Sequence, residues 1–215
     1  METAMAKENK KGHSISKKDE IKVRNIQKEI SRCIENATLL LKKPLKEGRD
    51  FIIDVPKEPK SFRLYEKETK SALKGAVYVF YLGENSSLTK EENRFFKIGR
   101  VGPKSTARFD SQHYNPKSNG SNLAKSLLID KDRLGLKENG GIGDFIRNNF
   151  VRINILFLGS APEFSNELVE AMLHYKYKPF FEGPKSQRGR GLSSPSKFNL
   201  GRKKISTKKR TGDKL

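Results

Sequence analysis

Apolar residues recur at spacings of three and four along Val23, Ile26, Ile30, Cys33, Ala37 and Leu40. That period predicts one amphipathic helix. Ser16 and Asp19 supply its start signal, and Pro44 and Gly48 end it. The period then shortens. Phe51 to Val55 reads as a short strand cut off by Pro56 and Pro59, and the apolar/basic alternation of Phe62 to Tyr65 predicts an edge strand. Ala76 to Leu82 and Phe95 to Ile98 are rich in the aromatic and β-branched residues that suit a pleated surface. Between them, Gly83 to Ser87 are turn formers.

Downstream, Ser105 is placed to cap a short helix through Thr106, Arg108 and Gln112, which Asn115-Pro116 stops. Asn122 to Ile129 and Asp144 to Asn149 predict two more helices. Val151 to Leu158 is a strand with Ile153, Ile155 and Phe157 on one face, and its continuous apolar end predicts a central, covered position. Ser160 and Glu163 read as a capping box with Pro162 in the first turn. Phe164, Leu168, Met172 and Tyr175 then form the predicted apolar face of a helix that Pro179 ends. Strand, strand, helices, strand, helix over 75–182 implies a small α/β layer, an α+β fold with a mostly antiparallel sheet. The chain divides into an N-terminal basic arm with an amphipathic helix (1–70), a central domain (71–183) and a basic tail (184–215). The polar start, Met1 to Lys18, and the tail have little capacity to bury surface and are expected to be disordered.

Charge changes the picture. The 215-residue chain carries a formal net charge of +20, of which +10 falls in residues 184–215. A concentrated cationic excess favours polyanions, because neutralising phosphates releases condensed counterions. The tail offers no amphipathic helix with a basic face for a membrane surface, and no apolar run approaches the ~20 residues needed to span a bilayer. Met1 to Ser16 lacks the apolar stretch of a secretory signal. The lone Cys33 excludes an internal disulfide and a cysteine zinc site, which fits a reducing cytoplasm. Several motifs fail. Gly140-Gly141-Ile142-Gly143 follows a polar loop rather than a strand, and Gly102-Pro103-Lys104-Ser105 lacks the upstream glycine of a phosphate loop. The histidines at 13, 113 and 174 are scattered, and no GxSxG elbow is present.

Gly75-Ala76-Val77-Tyr78 on one strand, Lys97-Ile98-Gly99 on the next, Arg108 and His113 after them, and Glu170 on the late helix form an ordered set. In that order they resemble the GIY-YIG nucleases over roughly residues 75–182. Glu170 lies nine residues before Pro179, which suits the family's Glu-to-Pro interval. The segments IGRVGP, SQHYNP and FEG…SQR are similar to those of bacterial members of that family, some of which are restriction enzymes. The resemblance implies a three-stranded antiparallel central sheet flanked by helices, carrying a single-metal site for phosphodiester hydrolysis. Two positions depart from the family pattern. Lys97 stands where a second tyrosine is usual, and Glu182 stands where an asparagine is usual.

Each residue also has a plain reading. Tyrosine is common in strands, Lys97 fits a solvated strand face, and Arg108 and His113 fit an exposed helix face. Glu170 lies opposite Leu168 on the helical wheel and so reads as a surface carboxylate. The resemblance instead implies Glu170 as the ligand of Mg²⁺, with Mn²⁺ a substitute, since Mg²⁺ binds through one or two carboxylates plus substrate phosphate. Tyr78 would position or deprotonate the attacking water; a phenol near pKa ~10 needs a neighbouring cation to ionise, and Lys97 could supply it. Lys97 is also a candidate base itself. Arg108 would stabilise the transferring phosphate, and His113 would pass a proton or hold a phosphate. Arg100, Lys104, Gln187 and Arg188 are candidates for contacting nucleic acid. The expected partner is DNA, with RNA left open, and a second chain is open too, because a double-strand cutter with one site per chain needs two chains or two successive nicks. The reading from a different class is a nucleic-acid-binding protein on a catalytically degenerate scaffold of this kind.

Overall fold

A computed structural model describes residues 17–39, 43–58, 60–83, 94–103, 109, 111–118, 122–134 and 141–181. The expected disordered start, the connection after Gly83, most of the Ser105–Gln112 helix, the loop before Gly141 and the basic tail lie outside them.

Four antiparallel strands form one sheet in the order β1-β4-β2-β3: β1 is Phe51–Asp54, β2 Leu73–Leu82, β3 Phe95–Val101 and β4 Phe150–Leu158. The three-stranded expectation is therefore corrected to four, although the α+β class stands. The fourth strand is β1, which pairs along β4 from Phe51 opposite Phe157 to Asp54 opposite Asn154. Helix α1 (Lys17–Thr38) buries Val23, Ile30 and Ile34 against the same sheet. The segment expected as an N-terminal arm thus shares the core of the domain.

The two central strands have two covered faces. Ala76, Tyr78, Phe80 and Leu82 of β2 point to one face, where they meet α2 (Phe62–Thr69), α3 (Leu123–Ile129) and α5 (Ile142–Asn149) through Phe62, Tyr65, Leu123, Leu127 and Ile146. Val77 and Val79 point to the other, with Ile153, Ile155, α1 and α6 (Ser165–Tyr177). A short helix α4 (Lys131–Leu134) follows α3, and a 3₁₀ turn spans Gln112–Tyr114. Full burial of an Ile or Phe contributes about 1.5–3 kcal/mol, so both faces hold the sheet in place. Among the described residues no helix is long and apolar enough to cross a membrane.

Three local predictions change. Phe62 to Tyr65 is the start of helix α2, not an edge strand. Phe62 and Tyr65 lie three apart, so the pair fits one face of a helix, and Ser61 Oγ accepts the Leu64 N–H at 3.3 Å as an N-cap. The last helix starts at Ser165 rather than inside a Ser160–Glu163 capping box. Ser160 donates instead to the Arg49 carbonyl, Phe164 adopts a left-handed conformation (φ 61°), and Ser165 Oγ bonds the Pro162 carbonyl at 2.7 Å. Finally, α6 turns the other way about its axis. Val169 and Leu173 are buried and Met172 of the predicted face packs beside them, whereas Phe164, Leu168 and Tyr175 are exposed.

Candidate functional site

The candidate residues gather around the edge strand β3. β2 and β3 pair with Tyr78 opposite Gly99 and Phe80 opposite Lys97, so all four positions share the face covered by α2, α3 and α5. Gly99 is required there. A Cβ at that position would stand 2.4 Å from the Tyr78 hydroxyl oxygen, so the absent side chain is what lets the phenol reach the edge strand. Gly75 serves a similar purpose at the other end, where a Cβ would lie 2.8 Å from both Asn166 Nδ2 and the Val101 carbonyl.

His113, on the 3₁₀ turn, packs its ring on Tyr78 with centroids 4.5 Å apart and on Phe80 at 5.2 Å. Its Nδ1 accepts the Leu123 N–H at 3.3 Å. An accepting ring nitrogen carries no proton, so in this arrangement the imidazole is neutral with the proton on Nε2. The structure thus brings Tyr78, Lys97 and His113 to one face. All three are buried, Lys97 to 2% exposure. The pairing is irregular between Phe80 and Tyr81, and Phe96 falls in that irregularity, facing the same core as Tyr78 and Phe80 and stacking on Phe180. After α6 the chain runs along the outside of β3: Phe180 and Phe181 donate to the carbonyls of Phe95 and Phe96 at 2.8 Å, and Phe181 bridges to Lys97.

Glu170 lies beside the same strand but on its other face. Arg100, next to Gly99, faces α6 and binds two carboxylates one helical turn apart, Glu167 at 2.7 Å and Glu170 at 2.9 Å. Glu170 is therefore not the surface carboxylate that the helical wheel suggests, because α6 presents to the sheet the side the pattern assigned to solvent. The pair is partly exposed, so each contact is weak and salt-sensitive. Glu167 and Glu170 are the side chains here that could hold a divalent cation, and the Arg100 guanidinium occupies the position of positive charge between them. Among the described residues no cluster of three or more His, Cys, Asp or Glu could hold a metal ion. Two carboxylates still match a cation that takes its remaining ligands from water and substrate phosphate. Arg100 is thus engaged within the chain. Lys104, Arg108, Gln187, Arg188 and Glu182 lie outside the described residues.

A polar network that sequence reasoning missed underlies the Tyr78 face. Arg152 of β4 pairs opposite Phe80, and Asn154 opposite Tyr78. Arg152 Nε donates to Asn154 Oδ1 at 2.8 Å, Nη1 donates to the Phe109 carbonyl at 2.5 Å, and the guanidinium lies 4.3 Å from the Phe109 ring and 5.7 Å from that of Tyr78. Asn154 Nδ2 donates to the Tyr65 hydroxyl at 3.1 Å, and that hydroxyl donates to Asp54 at 2.6 Å. Burial and then the Asp54 carboxylate push the Tyr65 phenol well above its ordinary value. Arg152 is only 5% exposed, has no carboxylate partner among the described residues, and its Nη2 has no hydrogen-bond acceptor among them. Isolated buried charges are costly. The signal was present in the sequence: Arg and Asn at alternate positions of a strand already read as central must both point into a core.

No protein-family model, curated protein or solved structure matches the chain.

Proposed function

We propose that the protein is a metal-dependent endonuclease that hydrolyses DNA phosphodiester bonds at the β3 edge, through a single-metal site of the GIY-YIG type. One observation carries the reading. Tyr78 reaches the edge strand at Gly99, with His113 packed on its ring and Lys97 on the same face, while the next residue, Arg100, holds Glu170 on the other side of that strand. The carboxylate and the buried phenol thus flank one short stretch of edge-strand backbone from its two sides. Glu170, with Glu167 one turn before it, would hold Mg²⁺ or Mn²⁺, which supplies charge neutralisation at a phosphate oxygen and bound water. Tyr78 would orient or deprotonate the attacking water, with Lys97 as the neighbouring cation or the alternative base. His113, with its proton on Nε2, is set to donate rather than accept at that nitrogen. Arg108 would stabilise charge on the transferring phosphate. The basic tail, beginning just beyond the Phe180–Phe181 segment that lines β3, would hold the polyanion near the edge. Such a protein would work in the cytoplasm, where its substrate is found.

The test is incubation of supercoiled plasmid with purified protein and Mg²⁺. The expected result is nicked or linear product, lost on adding a chelator and reduced at least ~100-fold by Glu170→Gln. Binding without cleavage, across Mg²⁺ and Mn²⁺ and on both DNA and RNA, would contradict it.

A second reading has its own observation. Tyr78, Lys97 and His113 are almost fully buried and Glu170 is neutralised by Arg100. A nucleic-acid-binding protein on a degenerate nuclease scaffold needs none of them exposed. Its binding would then survive Tyr78→Phe and Glu170→Gln unchanged and would fall steeply with salt through the tail.

A further inference from the structure

A cleft of about 370 Å³ opens where the start of α6 meets β2 and the end of β3, with Lys74, Arg100, Glu163, Phe164, Asn166 and Glu167 on its walls. Its cations are already engaged. Lys74 Nζ donates to the Ala161 carbonyl at 2.6 Å, and Arg100 holds Glu167 and Glu170. A phosphate would find no unengaged cation there among the described residues, and two carboxylates to repel it. Three other groups are unengaged. Glu167 gives one oxygen to Arg100, while its Oε2 is buried with no hydrogen-bond donor among the described residues. The Asn166 carboxamide, seated against Gly75, makes no hydrogen bond among them either. Phe164 is 74% exposed in a left-handed conformation (φ 61°). Its ring gains little from packing, and its backbone conformation is one that glycine adopts without strain. Neither burial nor conformation accounts for an aromatic residue at that rim, and strained positions of this kind gather at ligand sites.

We propose that the cleft takes one unpaired nucleobase of a DNA strand, stacked on Phe164 and read by Glu167 Oε2 and the Asn166 carboxamide. The three unengaged groups define the occupant. An acceptor without a donor calls for an N–H, a carboxamide offers a donor beside an acceptor, and an exposed ring calls for a flat partner. A base with an exocyclic amine supplies all three, since carboxylates accept from such amines and asparagine pairs with an adjacent donor and acceptor. Thymine, which lacks the amine, fits less well. The formal charge of +20 draws the polyanion to the protein, and the cleft then reads a base rather than a phosphate. The inference rests on the reading of the protein as one that binds DNA, and it needs no cleavage. In a nuclease the held base would lie beside the cut, because Arg100 joins Glu167 on the cleft wall to Glu170.

The chain has no tryptophan, so Phe164→Trp places a single fluorescent reporter at the rim. The full-length variant, freed of nucleic acid and kept in chelator, is titrated with a single-stranded deoxycytidine oligonucleotide of about 8 nucleotides. Binding is followed separately by the anisotropy of a dye on the strand. The expected result is tryptophan quenching that tracks binding, while an abasic strand of the same length binds through its phosphates without quenching. In the otherwise native chain, Phe164→Ala should weaken oligonucleotide binding about 10-fold and leave the slope of affinity against salt unchanged, since no phosphate contact is lost. The cytidine strand should bind more tightly than a thymidine strand, and Asn166→Ala should narrow the gap. The proposal is overturned by binding without quenching, by equal quenching with the abasic strand, or by Phe164→Ala or Asn166→Ala binding as the wild type does. Quenching with no cleavage once Mg²⁺ is added upholds the cleft and removes the nuclease reading, whereas a protein that binds no DNA removes both.

Discussion

The two faces of the sheet are built by the same strands yet bury different chemistry. Toward α1 and α6, β2 and β4 present Val77, Val79, Val151, Ile153, Ile155 and Phe157, aliphatic but for the last. Toward α2, α3 and α5 the same strands present Tyr78, Arg152 and Asn154 among the aromatics, with Lys97 and His113 joining them. The aliphatic face needs nothing but fit, and its free energy comes from area removed from water. The polar face carries a buried guanidinium, a buried lysine amine and an amide that must each be satisfied. A fold does not need such groups for stability, because apolar residues of similar volume often serve as well or better. Their presence sets that side apart, and the chemistry proposed above draws on it and on the edge strand that joins both faces.

The largest expected contrast is in stability. Ile155→Ala, on the aliphatic face, should cost about 2–5 kcal/mol in chemical denaturation. Arg152→Met, at a similarly buried position across the strand, should cost less than about 2 kcal/mol, because a charge with no carboxylate partner among the described residues is removed along with its two hydrogen bonds. If Arg152→Met costs as much as Ile155→Ala, the guanidinium is a structural keystone and the contrast fails.

Next comes the contact at the edge. Gly99→Ala places a Cβ against the Tyr78 hydroxyl and should destabilise by about 1–3 kcal/mol. Combined with Tyr78→Phe, which removes the nearest atom but leaves the ring carbon 2.6 Å away, the penalty should shrink only in part, by up to about 1 kcal/mol in a double-mutant cycle. Additive effects would mean that the phenol does not lie over Gly99.

Smaller still is the cost of opening the polar network at its far end. Tyr65→Phe removes the hydroxyl that joins Asp54 to Asn154 and should cost about 1–2 kcal/mol.

The smallest effect concerns the rim of the aliphatic face, where Asp50 precedes the buried Phe51. Burial alone would raise this carboxyl, but bonds from Arg49 and the Lys46 N–H outweigh it and hold the group below its ordinary value. A carboxyl depressed on folding contributes stability above its unfolded pKa, and the contribution is lost as pH falls through the folded value. The melting temperature should therefore decline below about pH 4, and Asp50→Asn should flatten that decline. An unchanged acid limb in the variant would show that Asp50 does not titrate with folding.

Much of this architecture was legible in the chain. The β2, β3 and β4 strands and the α3 and α5 helices follow from period and turn residues, and the opposition of the two hairpin strands follows from their order. What escaped did so for physical reasons. Phe51 to Val55 reads as a short strand and β1 is one, but its pairing with β4, which makes the sheet four-stranded, is a non-local fact no window contains. Helix α6 carries two apolar stripes, and the larger aromatic one, Phe164 to Tyr175, outweighs Val169 and Leu173 in any pattern count although it faces outward. That inversion also hid the inward setting of Glu170. Tyr78 and Lys97 could be nominated from the sequence. Their burial could not, because it depends on helices that reach the sheet from distant positions.

The most direct measurement compares the two faces by cleavage rather than by stability. Plasmid nicking with Mg²⁺ should be measured for Tyr78→Phe, which removes one oxygen from the polar face, and for Ile155→Val, which removes one methylene from the aliphatic face, both at a temperature where each is fully folded. The account predicts that Tyr78→Phe loses nicking activity by about 100-fold or more while Ile155→Val keeps the wild-type rate. Equal rates for the two variants, or no nicking by the wild-type protein, would contradict it.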